Sequence, residues 1–201
     1  MTDIQWTAVA DSRSEEQMRN FIKTYPESNH VREAESRIES LYDDFQWVKE
    51  KNTLADYRRY LQRHPNDSHQ AEAERKIIDL EVAEIVAGDH GILPPAQRVS
   101  NADSYSRFAN VCIQNDTSYE LTVRYSGPDS KKIIISTGGH GSLQLPIGAY
   151  TVAASVSAAN VRNYAGEETL GGARYTSAFY IRSSSMPFVS LPQRVGDPCG
   201  R

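Results

Sequence analysis

YPESNHVREAESRIESL at residues 25–41 and HPNDSHQAEAERKIIDL at residues 64–80 are two copies of one pattern. Pro26 aligns with Pro65, His30 with His69, Ala34 with Ala73, Ile38 with Ile77 and Leu41 with Leu80, a period of 39 residues. Self-similarity at such a spacing marks stacked helical units. Units of this kind bury their apolar faces against one another and present surface rather than a chemical pocket. The repeat therefore speaks to architecture first and names no partner.

Working outward, residues 1–87 read as helices. A first helix spans about Asp3–Asp11, and a second about Glu15–Tyr25, opened by the capping box Ser14-Glu-Glu-Gln17. Pro26 ends it, because proline cannot continue a hydrogen-bonded turn. A third helix runs over about His30–Lys51, with Val31, Ala34, Ile38, Leu41, Phe45 and Val48 on one stripe. Thr53 caps a fourth over Leu54–Arg63, with Asp56 in the first turn where the helix dipole favours negative charge. Pro65 closes it, a fifth spans about His69–Ala87, and Gly88 is its stop.

The aromatic and small positions of this pattern resemble the tetratricopeptide-like helical hairpins of bacterial multidomain proteins. They are Trp6, Phe21, Ile22, Tyr25, Pro26, His30, Ala34, Ile38 and Leu41, then Trp47, Tyr57, Tyr60, Leu61, His64, Pro65, His69, Ala73, Ile77 and Leu80. Two departures accompany the resemblance. The period is 39 and not 34, and pairing Trp6 with Trp47 leaves two more residues between Trp and Pro in the first unit. The resemblance covers about 85 residues and implies antiparallel hairpins of the kind found in scaffolds and accessory regions.

Residues 88–107 hold Gly, a Pro-Pro pair and Ser/Asn/Asp, and read as a linker. From Phe108 the period changes to two. Phe108–Asn115, Tyr119–Ser126, Lys132–Thr137, Ser142–Pro146, Tyr150–Ala158, Arg174–Ser183 and Pro187–Leu191 are β-type runs separated by good turn formers. Short strands so spaced suggest an antiparallel β-sandwich. GSLQLPIGAYTVAASV at 141–156 is similar to the strand pair of transthyretin-like and immunoglobulin-like sandwiches. The expected fold class is α+β in two segregated domains. A helical repeat domain spans 1–87, a linker 88–107, a β-sandwich 108–192 and a tail 193–201.

Composition narrows the function classes. The chain has 201 residues, 39% hydrophobic and 24% charged, ordinary for a globular protein. Residues 1–88 carry 12 Lys+Arg against 18 Asp+Glu, and residues 89–201 carry 10 against 8. Neither half has the basic face of a nucleic-acid binder. No apolar run approaches the roughly 20 residues that span a bilayer, and the first residues lack a signal-peptide pattern. Taken as written, this reads as a cytoplasmic protein; a chain continued before Met1 would read as periplasmic or surface-located. Cys112 and Cys199 are too far apart for a zinc motif, and whether they pair stays open.

Chemistry is sparse. Thr137-Gly-Gly-His-Gly-Ser142 lacks the Lys-Ser/Thr of a phosphate loop and the context of a nucleophile elbow, and reads as a glycine-rich hairpin turn. His30 and His69, in register with the repeat, read as helix-start residues that satisfy free backbone groups. Trp6, Trp47, Tyr25, Tyr57 and Tyr60 read as core. The irregular stretch ANVRNYAGEETLGG, Ala159–Gly172, reads as a long loop, and Asn160, Arg162, Tyr164, Glu167 and Glu168 are its candidate partner-binding residues. No cofactor or metal is expected.

The leading expectation is a non-enzymatic protein–protein interaction or scaffold module, an accessory region of a larger bacterial protein, monomeric and with another protein as its partner. One alternative is a carbohydrate-binding module of an envelope protein, resting on Tyr119, Tyr125, Tyr150, Tyr175 and Tyr180. The other is the C-terminal region of a multidomain peptidase or its partner.

Overall fold

The structure is a computed structural model that describes residues 2–10, 14–99 and 106–179. The chain divides into two compact units, Met1–Leu80 and Glu81–Arg201. Five helices come first: α1 Thr2–Ala10, α2 Glu15–Thr24, α3 Val31–Lys51, α4 Leu54–Arg63 and α5 Gln70–Ala87. The strands follow, giving the α+β class that the periodicities imply.

Local chemistry sets the helix ends. The Ser14 side chain accepts from the Gln17 amide, and Thr53 accepts from the Asp56 amide at 3.2 Å. Before each proline the chain leaves the helix in the same way. Tyr25 sits at φ −129°, ψ 61° and His64 at φ −125°, ψ 62°, each donating its amide to the residue four back. Two residues beyond each proline, Ser28 and Asp67 accept from the amides of His30 and His69 at 3.3 and 2.6 Å. These short side chains, not the histidines, satisfy the turn. Asn52 closes α3 in the left-handed region at φ 49°.

The aromatic core corrects the register read from sequence. Trp6 meets Phe21 at 5.2 Å and stacks on His30 at 5.1 Å. Phe45 meets Tyr60 at 5.1 Å and stacks on His69 at 4.3 Å. Phe21–Tyr25 and Tyr60–His64 repeat a third contact, at 5.4 and 4.7 Å. Every pair is related by 39 residues. Trp6 therefore corresponds to Phe45 and not to Trp47, and the apparent two-residue insertion vanishes. Trp47 is 49% exposed, with Lys51 over its ring, so it is not core. The two histidines are ring partners of earlier helices, His30 of α1 and His69 of α3; His30 makes no side-chain cap bond.

The second unit begins within α5. Its strands are β1 His90–Ile92, β2 Gln97–Arg98, β3 Phe108–Asn115, β4 Leu121–Ser126, β5 Lys131–Ile135, β6 His140–Pro146, β7 Gly148–Val156, β8 Asn163–Leu170 and β9 Arg174–Phe179. They form two sheets, ordered β1-β8-β7-β4-β5 and β2-β9-β3-β6. Both are mixed rather than purely antiparallel, since β1 runs parallel to β8 and β3 parallel to β9. The inward faces meet in one core. Ala109, Val111, Ile113, Leu145 and Tyr175 come from one sheet, and Leu121, Val123, Tyr125, Tyr150, Val152, Ala154 and Leu170 from the other. The residues of β4 and β7 that alternate toward this core are those the sequence pattern selects.

Two further sequence expectations change. The 88–107 segment is not a plain linker, because it supplies β1 and β2. Ala159–Gly172 is not a loop but largely β8, paired to β7 over Gly148–Ala154. Ala153 alternates outward yet is fully buried, because Val82 and Ile85 at the end of α5 cover it and Ala165. Beside them the Glu81 carboxylate takes an N–H of Arg124 at 2.6 Å, with Lys132 at 3.9 Å, and Arg124 also donates to Ser155 at 2.9 Å. The expected run Pro187–Leu191 lies outside the described residues.

A polar pin ties the two sheets. Asn115, on β3 and fully buried, donates to the carbonyls of Tyr119, Ile135 and Ser136 at 2.8–3.1 Å. Its carbonyl accepts from the amide and hydroxyl of Thr117. Gly148, at φ 148°, follows the Leu145-Pro146-Ile147 corner; a Cβ there would fall 2.6 Å from the Pro128 ring. The Tyr150 hydroxyl donates back to the Pro146 carbonyl at 2.9 Å.

Candidate functional site

In the helical unit a groove of about 710 Å³ opens between α2, α3 and the turn before α5. Its floor is Ile22 and Ile38, half-buried side chains whose other faces pack on the Trp6 cluster. One wall is Arg19 and Lys23 on α2, the other Glu35 and Glu39 on α3, and Ser68 and His69 close one end. Glu35, Ile38 and Glu39 fall at i, i+3 and i+4, which puts all three on one helix face.

Glu15 clasps the closed end. Its carboxylate is buried and accepts from the Ser68 hydroxyl, from the Ser68 amide at 3.4 Å and from the Arg19 Nε at 2.6 Å. Burial pushes this carboxyl up, but the Ser68 hydroxyl and the Arg19 guanidinium outweigh burial and hold it below its ordinary value. Arg19 is thereby committed to Glu15, and its charge is largely neutralised at the wall.

A smaller crevice lies on α3 and α4, lined by Asp44, Trp47, Asp56, Arg59, Tyr60, Arg63 and His64. The ring of His64 is buried and its Nε2 lies 3.1 Å from Asp44 Oδ2. Tyr60 is buried below, and desolvation, then the Asp67 carboxylate beside it, push its hydroxyl far above the ordinary value.

The five residues singled out from sequence do not form one exposed loop site. Asn160 and Arg162 stand in the turn before β8, and Tyr164, Glu167 and Glu168 on β8 itself. Asn160, Arg162, Tyr164 and Glu167 are exposed, while Glu168 is half-buried. Three of them fasten the 89–96 segment. Arg162 donates to the Asp89 carboxylate, the Tyr164 ring lies against Gly91, and Glu168 accepts from the Ala96 amide at 2.8 Å. Between them, Leu93 donates to the Ala165 carbonyl at 2.8 Å. The Leu93 carbonyl crosses so close to Gly166 that a Cβ there would sit 2.1 Å away. Burial raises the Glu168 carboxyl, with the Ala96 amide and the Tyr125 hydroxyl offsetting part of the effect. The stretch thus serves a strap from its own chain, which carries β1 at one end and β2 at the other.

Sequence reasoning missed the groove residues Arg19, Ile22, Lys23, Glu35, Ile38 and Glu39. Ile22 and Ile38 belong to apolar stripes and read simply as core. Their exposed sides become visible only when the 39-residue register places the α5 turn at the end of the groove.

Residues 93–177 match a family model described as domain of unknown function (DUF6759). The match starts on the strap and ends in β9, so it falls within the second unit. No curated protein matches the chain. Among solved structures the chain is similar to 3-chlorocatechol 1,2-dioxygenase from Rhodococcus opacus 1CP. The identity is 10% and the TM-score 0.28, over 90% of this chain and 98% of that one. The expectation of a non-enzyme is corrected: the comparisons give it no support, and this weak likeness does not say whether the chain is an enzyme. A TM-score of 0.28 equally transfers no dioxygenase reaction to this chain.

Proposed function

We propose that the chain is a protein–protein interaction module whose helical unit docks a segment of a partner protein in the groove between α2 and α3. The groove carries this reading. It is large enough for side chains of a docked segment, has an aliphatic floor, and is walled by charge on both sides. The matched triads Trp6–Phe21–His30 and Phe45–Tyr60–His69 support a tetratricopeptide-like hairpin array, with a repeat of 39 in place of 34. The Tyr150–Pro146 bond at the Leu-Pro-x-Gly corner supports an immunoglobulin-like or transthyretin-like sandwich in the second unit.

Cys112 is disulfide-bonded, which favours an oxidising compartment, hence a periplasmic or surface placement over a cytoplasmic one. Among the described residues no helix is long and apolar enough to cross a membrane. Of the tyrosines behind the carbohydrate alternative, Tyr125, Tyr150 and Tyr175 are core residues, Tyr119 is exposed, and Tyr180 lies outside the described residues.

Site-specific photo-crosslinking in cells that carry the gene tests the proposal. A benzoyl-phenylalanine at position 39, in the groove, is compared with one at position 62, on the exposed side of α4. A discrete protein adduct from position 39 alone supports the reading. Equal labelling from both positions, or none from position 39, overturns it.

A further inference from the structure

We infer that the groove selects a cationic amphipathic segment: aliphatic side chains one helical turn apart, flanked on one side by Lys or Arg. The inference rests on the groove being the docking site and adds the chemistry of its occupant. Three observations lead there.

The first is the charge left over at the walls. Arg19 is held by Glu15 at 2.6 Å, which leaves Lys23 as the free cation of the α2 wall among the described residues. Facing it, Glu35 and Glu39 are exposed and form no ion pair among the described residues. Two free carboxylates against one ammonium make the groove net acidic.

The second is the field of the unit. Residues 1–80 carry 12 Lys+Arg and 16 Asp+Glu. The surrounding potential therefore attracts a cationic segment and repels an acidic one.

The third is spacing. Glu35 and Glu39 are one turn apart on α3, with Ile38 between them and Ile22 opposite. A docked helix that seats two Leu at i and i+4 on Ile22 and Ile38 brings the residues beside them along the same wall, one turn apart. Lys or Arg there meets Glu35 and Glu39 in register. Exposed pairs of this kind are individually weak and screened by salt. The charge preference is therefore a selectivity between segments, and it shrinks as ionic strength rises.

The test uses the full chain and a displayed library of helical peptides, with Leu fixed at i and i+4 and Lys, Glu or Ser varied beside them. The expected result is at least tenfold enrichment of Lys over Glu at the flanking positions at low salt. The double substitution Glu35→Lys and Glu39→Lys, both at exposed positions, is expected to remove or reverse that preference. Peptides retained without charge preference, or a preference unmoved by the double substitution, overturn the inference while leaving groove docking standing. Retention that leaves the amide signals of Ile22 and Ile38 unshifted overturns the inference and the groove reading together.

Discussion

Phe45→Ala and Trp47→Ala decide between the two possible registers of the repeat. Phe45 has 0% of its surface exposed, packs on Tyr60 and stacks on His69. Truncating a buried phenylalanine costs about 3–5 kcal/mol, with the lost ring contacts already inside that range. Trp47 is 49% exposed, so half of a full burial term of about 3 kcal/mol is at stake, about 1.5 kcal/mol. With a urea slope of about 1 kcal/mol per M for a unit of this size, Phe45→Ala lowers the midpoint by about 3 M or leaves the unit unfolded. Trp47→Ala lowers it by about 1.5 M at most. The assay is urea titration of the full chain followed by helical circular dichroism at 222 nm, where the five helices dominate. A larger loss for Trp47→Ala than for Phe45→Ala would refute the register and the stacking argument with it.

Arg124→Ala leaves the Glu81 carboxylate, whose side chain is 12% exposed, with Lys132 at 3.9 Å, and is expected to cost about 1–3 kcal/mol, below the range for a buried charge left with no partner; near-ultraviolet circular dichroism of the β unit during denaturation reads it. Gly166→Ala places a methyl group 2.1 Å from the Leu93 carbonyl and should speed hydrogen exchange of the Leu93 amide, which is bonded to Ala165; unchanged exchange would count against the strap. Glu168 has a raised folded-state value, so its protonated form is favoured in the fold. Its contribution is fully present below the ordinary carboxylate value of 4.5 and is lost as pH rises through the folded value. Glu168→Gln should therefore match the parent near pH 4 and exceed it in stability near pH 7, whereas Glu168→Ala orphans the Ala96 amide and costs about 1–3 kcal/mol at both. Glu15 has the opposite sign: its lowered value gives a stability of the helical unit that disappears as pH falls through that value, and Glu15→Gln should flatten this acid limb.

What the sequence disclosed and what it hid follow from the range of each interaction. The helices were legible because their signals are local. Ser14 and Thr53 cap over three residues, and Pro26 and Pro65 stop the chain where they stand. The strands β3, β4 and β7 were legible because their alternation faces one core. β8 was not, because Gly166, Glu167, Glu168 and Thr169 carry no apolar alternation; it is a strand through pairing with β7 and β1. The 88–107 segment looked like a linker because its prolines and glycines are equally suited to a strap, and the groups that fasten it, Arg162, Ala165 and Glu168, lie far along the chain, Glu168 72 residues beyond Ala96. The Trp6–Trp47 pairing was misleading since identity of residue type outweighed spacing. The 39-residue period already pointed to Phe45, an aromatic on the apolar stripe. The groove escaped notice because half-buried isoleucines give the same periodicity as buried ones.

The most direct measurement of the central claim is amide chemical-shift mapping of the full chain titrated with the Lys-flanked, Leu-bearing helical peptide. The account predicts saturable shifts concentrated at Arg19–Lys23 and Glu35–Glu39, with the turn and strand residues Asn160, Arg162 and Tyr164 unmoved. Shifts concentrated at Asn160, Arg162 and Tyr164 instead, with the α2–α3 groove silent, would contradict it.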